Sequence, residues 1–132
     1  MILSRSIGYG LIAVAYMAKR SDAWTQGEII SKEYDIPIEY LLKIMNQLVR
    51  AGILRSKRGP SGGYSLAKPV KDINMLEVIE AVDGPFHRSF DLASQAKKCR
   101  FSARMDQVCS KASEQAIAIL KKAKFSDLVS KG

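Results

Sequence analysis

Residues 59–63 read Gly-Pro-Ser-Gly-Gly, three glycines and a proline in five positions. No helix or central strand runs through such a stretch, so the chain must reverse there. Short runs flank it, Ile53-Leu54-Arg55-Ser56-Lys57-Arg58 before and Tyr64-Ser65-Leu66 after. Two short strands around a Gly/Pro-rich tip predict a β-hairpin. Ala51-Gly52 stands immediately before it, and Gly52 suits the left-handed residue that closes a helix.

The segments upstream have helical periodicity. Ile7, Leu11, Val14 and Ala18 fall at i, i+4, i+7 and i+11, one stripe of a first helix over about Ser4–Arg20. This start also holds the raw material of a signal sequence, an early Arg5 and an Ala13-Val14-Ala15 triplet. The apolar stretch before the triplet is too short and is broken by Gly8 and Gly10, so an amphipathic helix fits better. Thr25-Gln26-Gly27-Glu28 reads as a capping box that opens a second helix to about Tyr34. Asp35-Ile36 makes a tight turn, and Pro37 suits the first position of a third helix. There Leu41, Ile44, Met45 and Leu48 form the buried stripe. Beyond the hairpin, Asn74-Met75-Leu76-Glu77 predicts a helix through Val82, stopped by Asp83-Gly84-Pro85. Phe86 to about Arg100 is polar and aperiodic and reads as a loop. A last long helix spans about Ser102–Lys122, and Ser126 is a candidate cap for a final short turn.

The fold class expected is mainly α: a winged helix-turn-helix, three helices plus a β-hairpin wing, with a long C-terminal dimerisation helix. Residues 1–85 form the winged head, 86–101 a sensor loop and 102–132 the dimerisation helix and terminal turn, all in one compact domain. At 132 residues a single domain is the default. Two cysteines are too few for a disulfide scaffold, which favours a reducing, cytoplasmic home. The longest apolar run, Leu11–Ala18, is too short to span a bilayer, so no membrane partner is expected.

Charge points to the partner. From Tyr40 to Lys71 there are seven basic residues and no acidic one, out of a total of 21 basic and 13 acidic. The rest of the chain is nearly balanced, 14 against 13 (21 − 7 = 14). The basic window contains most of the third helix and the whole hairpin, and a basic footprint on this motif predicts double-stranded DNA as partner. The third helix would enter the major groove, offering Glu39, Tyr40, Lys43 and Gln47 to base edges. The wing, with Lys57, Gly59, Ser61 and Gly62, would follow the backbone, its glycines letting main-chain N–H groups approach phosphates. Arg58 at the tip would lie near the narrow minor groove. The rival is a winged helix used for protein contact without sequence-specific DNA binding. No catalytic activity is expected: the chain has one histidine, no paired carboxylates, no GxGxxG, and no Lys-Ser/Thr ending that would make the Gly-rich tip a P-loop.

Leu3–Tyr9, Tyr40-Leu41, Leu48–Leu54, the wing Arg58–Leu66 and Glu77–Pro85 closely resemble the Rrf-two family of bacterial winged-helix transcription regulators. The similarity covers essentially the whole chain. It implies a homodimer, most often a repressor, in which the long helix crosses its mate's and two heads read a palindromic operator. By position it implies Arg58 as the minor-groove arginine and Glu39, Tyr40 and Lys43 as base-facing positions. The family's Lys-Gly-Arg run before the first aromatic is here Ser6-Ile7-Gly8, so Arg5 or Arg20 stands in as the candidate backbone contact.

Met105, Cys109, Ala112, Ala116, Ile119 and Leu120 make a stripe of small and branched side chains that a partner helix can bury, the candidate dimer interface. Cluster-binding relatives usually carry three cysteines before this helix, and here there are only Cys99 and Cys109. An iron–sulfur cluster takes four ligands, mostly thiolates. His87, Asp91 or Asp106 would have to complete the set, so the expectation is no cofactor, with an incompletely cysteine-ligated cluster as the alternative. Lys97, Lys98, Arg100 and Arg104 surround Cys99 with positive charge, which favours its thiolate and a thiol-based redox sensor. Cys109 lies on the apolar stripe and reads equally well as a small packed hydrophobe. Zinc is disfavoured, because no CxxC or HxxxH pair is present.

Overall fold

The computed structural model describes residues 4–20, 23–86 and 100–130. Helix α1 (Arg5–Ala18) is capped by Ser4, whose hydroxyl accepts from the Ile7 N–H at 3.2 Å. Helices α2 (Gly27–Tyr34) and α3 (Ile38–Arg50) follow. They are joined through Asp35, which adopts the left-handed conformation (φ 52°), and Ile36, which is buried. Pro37 is the cap of α3 rather than its first residue, one position from expectation. On α3, Leu41, Ile44, Met45 and Leu48 are all within 2% of full burial, as the 3–4 spacing requires.

Gly52 takes φ 79° and turns the chain into the wing. Strand β1 (Leu54–Lys57) pairs antiparallel with β2 (Gly63–Leu66), Leu54 opposite Leu66 and Lys57 opposite Gly63. A single 3-10 turn (Val70–Asp72) leads to α4 (Met75–Asp83). This helix begins with the full reciprocal box: the Asn74 side chain accepts from the Glu77 N–H, and the Glu77 carboxylate accepts from the Asn74 N–H.

The expected box at Thr25 does not form. The cap of α2 is Gln26, without a side-chain bond, because Thr25 belongs to the wing. Its N–H and C=O exchange two 2.8 Å hydrogen bonds with Tyr64, adding a one-residue third strand beside β2. Gly63 permits this approach. It sits at φ 126°, and a Cβ there would stand 2.4 Å from the Thr25 carbonyl oxygen.

Helices α5 (Ser102–Lys122) and α6 (Phe125–Ser130) complete the described chain. The final helix starts at Phe125, one residue before the expected Ser126 cap. The link between α5 and α6 returns to the head: the Met75 N–H donates to Ala123 O and the Phe125 N–H to Ile73 O. Phe125 is buried in the main core with Val14, Met17, Leu48 and Val78. Leu120 packs with Ile7 and Ile79 in a second cluster. No helix of the described residues is long and apolar enough to cross a membrane. The sensor-loop expectation falls mostly on residues 87–99, including His87, Asp91, Lys97, Lys98 and Cys99, which lie outside the described residues.

Candidate nucleic-acid interface

Burying Leu41, Ile44, Met45 and Leu48 obliges α3 to present its other face. Glu39, Tyr40, Lys43, Asn46 and Arg50 are exposed, Tyr40 at 62%, while Gln47 is half-buried. The wing is fastened beside this face at three points. The Tyr64 hydroxyl donates to Asn46 Oδ1 of α3 at 2.9 Å. Gln26 Nε2, at the start of α2, donates to the Pro60 carbonyl at the tip, 3.2 Å. The Thr25–Tyr64 pair is the third. Helix and hairpin are therefore one surface, with their relative position set by hydrogen bonds rather than by the hairpin alone. The Tyr64 phenol ionises above its ordinary range, first because burial penalises the charged form and second because Glu28 lies near.

Of the expected contact residues, Lys57, Arg58, Gly59 and Ser61 are exposed on the wing. Gly62 is a correction. It is buried, its N–H donates to Gly59 O at 3.0 Å, and a Cβ there would stand 2.1 Å from Lys57 O. Its N–H serves the turn and is not offered to a phosphate. Lys68 leaves the basic footprint as well, since its ammonium pairs with Glu77 at 2.7 Å. The other six basic residues of the window, Lys43, Arg50, Arg55, Lys57, Arg58 and Lys71, are exposed. Arg5 is exposed in the first turn of α1, roughly 20 Å of helix from the end that leads to the wing. Arg20 is occupied at that other end: its guanidinium stacks on Tyr16 at 3.7 Å and donates to the Tyr16 carbonyl.

Sequence reasoning missed Trp24. Its ring lies under two wing cations, Arg55 at 4.9 Å and Lys57 at 5.7 Å from the centroid. A lone tryptophan before an expected helix cap gives no sign of this, because the Thr25 strand that places it is set by tertiary pairing.

On α5 the expected stripe divides. Met105, Ala112 and Ile119 are exposed, Cys109 and Ala116 half-buried. Leu120 is a correction in part, because it is 8% exposed and already packed against its own chain. Val108 (68%) and Phe101 (59%) extend the exposed apolar row instead. Among the described residues no three His, Cys, Asp or Glu side chains come close enough to hold a metal ion. Cys109 is the one thiol among the described residues, and the other expected ligands, Cys99 and His87, lie outside them.

Three packed helices, a tight turn between the second and third, and a wing docked against the third define a winged helix-turn-helix protein. The family model for Rrf2, described as iron-dependent transcriptional regulator, matches residues 3–131, and the chain belongs to that family. The chain is 36% identical over 86 residues to the HTH-type transcriptional regulator IscR of Cereibacter sphaeroides, a match covering 63% of this chain and 56% of that one. It spans between 51% and 56% of the length of the curated relatives it matches. Among solved structures it is similar to CymR of B. subtilis (TM-score 0.86, 22% identity, 100% of this chain and 98% of that one). It is also similar to T. potens IscR (TM-score 0.79, 23% identity, 99% and 88%). At such identities these likenesses speak for the fold.

Proposed function

We propose that this chain is a dimeric DNA-binding transcription regulator that represses by occupying a palindromic operator. The observation that carries the reading is the exposed face of α3 with the wing docked beside it, in a stretch from Tyr40 to Lys71 that holds six exposed cations and no carboxylate in sequence. Major-groove entry by α3 would bring Glu39, Tyr40 and Lys43 to base edges, with Asn46 tied to the wing. Arg58, exposed at the tip, would enter the adjacent minor groove, where a narrow A·T tract concentrates negative potential. A second copy, mated along α5, would supply the other head at a spacing of about one helical turn.

Regulation is assigned to the 86–109 region, which joins the head to α5. Cys99, flanked in sequence by Lys97, Lys98 and Arg100, is the first candidate for oxidation from thiol to sulfenic acid by peroxide, with Cys109 of α5 second.

Selection from random duplex DNA tests the reading. It should enrich a two-fold symmetric site, and Lys43→Ala should change base preference at one position of each half-site. Arg58→Ala should cost about 1–3 kcal/mol of operator affinity, most on A·T-rich flanks. If no sequence is enriched over bulk DNA, the protein-contact reading replaces this one.

A further inference from the structure

Arg55 and Lys57 are two residues apart on β1, so they project from the same face of the wing. Trp24, next to the one-residue strand at Thr25, lies under both, at distances inside the range of about 6 Å for cation–π attraction. Tyr64 stands opposite Ser56 and so on the other face, from which its hydroxyl reaches α3. The wing thus has a face turned to the recognition helix and a far face that carries two cations on one indole. Both cations are exposed, and among the described residues neither has a carboxylate within ion-pair distance.

We propose that this far face is a second phosphate-contact surface of the protein, with Trp24 as its positioning residue. The proposal rests on the duplex-binding reading above and extends it to a third backbone contact. A minor groove is about 6 Å wide and walled by a phosphate backbone on each side. A hairpin whose tip enters that groove has a backbone against each of its faces. The face turned to α3 meets the one shared with the major groove, and the far face meets the opposite wall. The choice of partner for the cations fits this task. A carboxylate would hold them in place but cancel their charge. An indole holds them through the ring quadrupole and leaves the full charge, with the outward N–H groups of Arg55 free for phosphate oxygens. Holding two long side chains in one orientation also reduces the rotamer freedom they lose on binding.

The experiment titrates protein onto a random-sequence DNA duplex across a range of salt concentrations. The log–log slope counts the phosphates neutralised. Arg55→Gln with Lys57→Gln keeps the side-chain stems over the ring and removes the charge. It should lower the slope by about 1 for each phosphate that is no longer neutralised, and weaken all sequences alike. Lys111→Gln with Lys121→Gln, two exposed α5 positions, removes the same charge elsewhere and should leave the slope near the parent's. Trp24→Leu should weaken binding with both cations still present, and Trp24→Phe should restore it. A wing pair that behaves like the α5 pair overturns the far-face contact while leaving DNA binding intact. Trp24→Phe no better than Trp24→Leu overturns the positioning role. A parent chain that binds no duplex removes the underlying reading and this one with it.

Discussion

Helices α3 and α5 are both amphipathic, but only one of them finishes its packing inside the chain. In its 13 residues α3 buries four large side chains almost completely. In its 21 residues α5 buries only Ser102 and Leu120, and leaves Met105, Val108 and Ile119 between 43% and 69% exposed. The difference comes from where each is anchored. The head grips α3 along its length, whereas the apolar packing of α5 among the described residues lies at its C-terminal end, where Leu120 packs and the backbone bonds at Ala123 and Phe125 return to the head. A single apolar residue on a surface is ordinary, but a row of them along one helix marks an interaction face. The head is complete as a fold, whereas α5 leaves an apolar row exposed, the face that the proposed second copy would cover.

The largest test breaks the proposed assembly. Ile119→Glu puts a charge on the exposed row, where the monomer loses little and a helix–helix seam would have to desolvate it. Light scattering should report a monomer with an unchanged helical spectrum. Operator affinity should fall about 10²–10⁴-fold, the advantage that two linked heads hold over one. A parent protein that is already monomeric at micromolar concentration would sink the assembly reading.

Core truncation measures the same contrast energetically. Leu48→Ala should cost about 2–5 kcal/mol in denaturant unfolding, because the surrounding core collapses only partly into the cavity. Val108→Ala, measured at dilutions where the chain is monomeric, should change stability by less than about 0.5 kcal/mol. Equal losses would mean that α5 is covered within its own chain.

The same contrast explains what could be read in the sequence. The stripe of α3, the wing, the Gly52 turn and the Asn74 box are local: periodicity, a glycine or a four-residue motif carries each. Thr25 satisfied its local motif as well as Asn74 did, and yet became a strand, since two backbone bonds to Tyr64 replaced one side-chain cap. That choice depends on Gly63, 38 positions away (63 − 25 = 38), and no short-range pattern encodes it. Leu120 and Ile119 are adjacent, so they point about 100° apart on the helix. A stripe drawn by 3–4 spacing included both, although one turns to the head and the other to solvent. The Trp24 platform required the register of all three strands before it could be seen.

Gly63→Ala tests the long-range bridge directly. A Cβ at φ 126° is strained and collides with Thr25, so the substitution should destabilise the head by about 1–3 kcal/mol and loosen the wing. Amide exchange at Thr25 and Tyr64 should quicken while α5 is unaffected. Exchange that quickens equally in α5 would show that head and helix unfold as one unit.

The smallest effect is alkaline and should also stay within the head. Tyr64 contributes its hydroxyl to Asn46 only while protonated, and burial followed by the Glu28 charge favours that form. Because the folded value lies above the ordinary 10.0, this contribution is fully present below pH 10 and is lost as the pH rises through the folded value. Near neutral pH, Tyr64→Phe removes one solvent-exposed hydrogen bond, worth the low end of about 0.5–1.5 kcal/mol. The phenylalanine variant has no phenol to ionise, so its stability should decline less steeply on the alkaline side. The two denaturant midpoints should therefore converge above pH 10. Parallel curves through that range would mean that the Tyr64 hydroxyl does not hold the wing to α3, and that the other two attachments, at Thr25 and Pro60, do so alone.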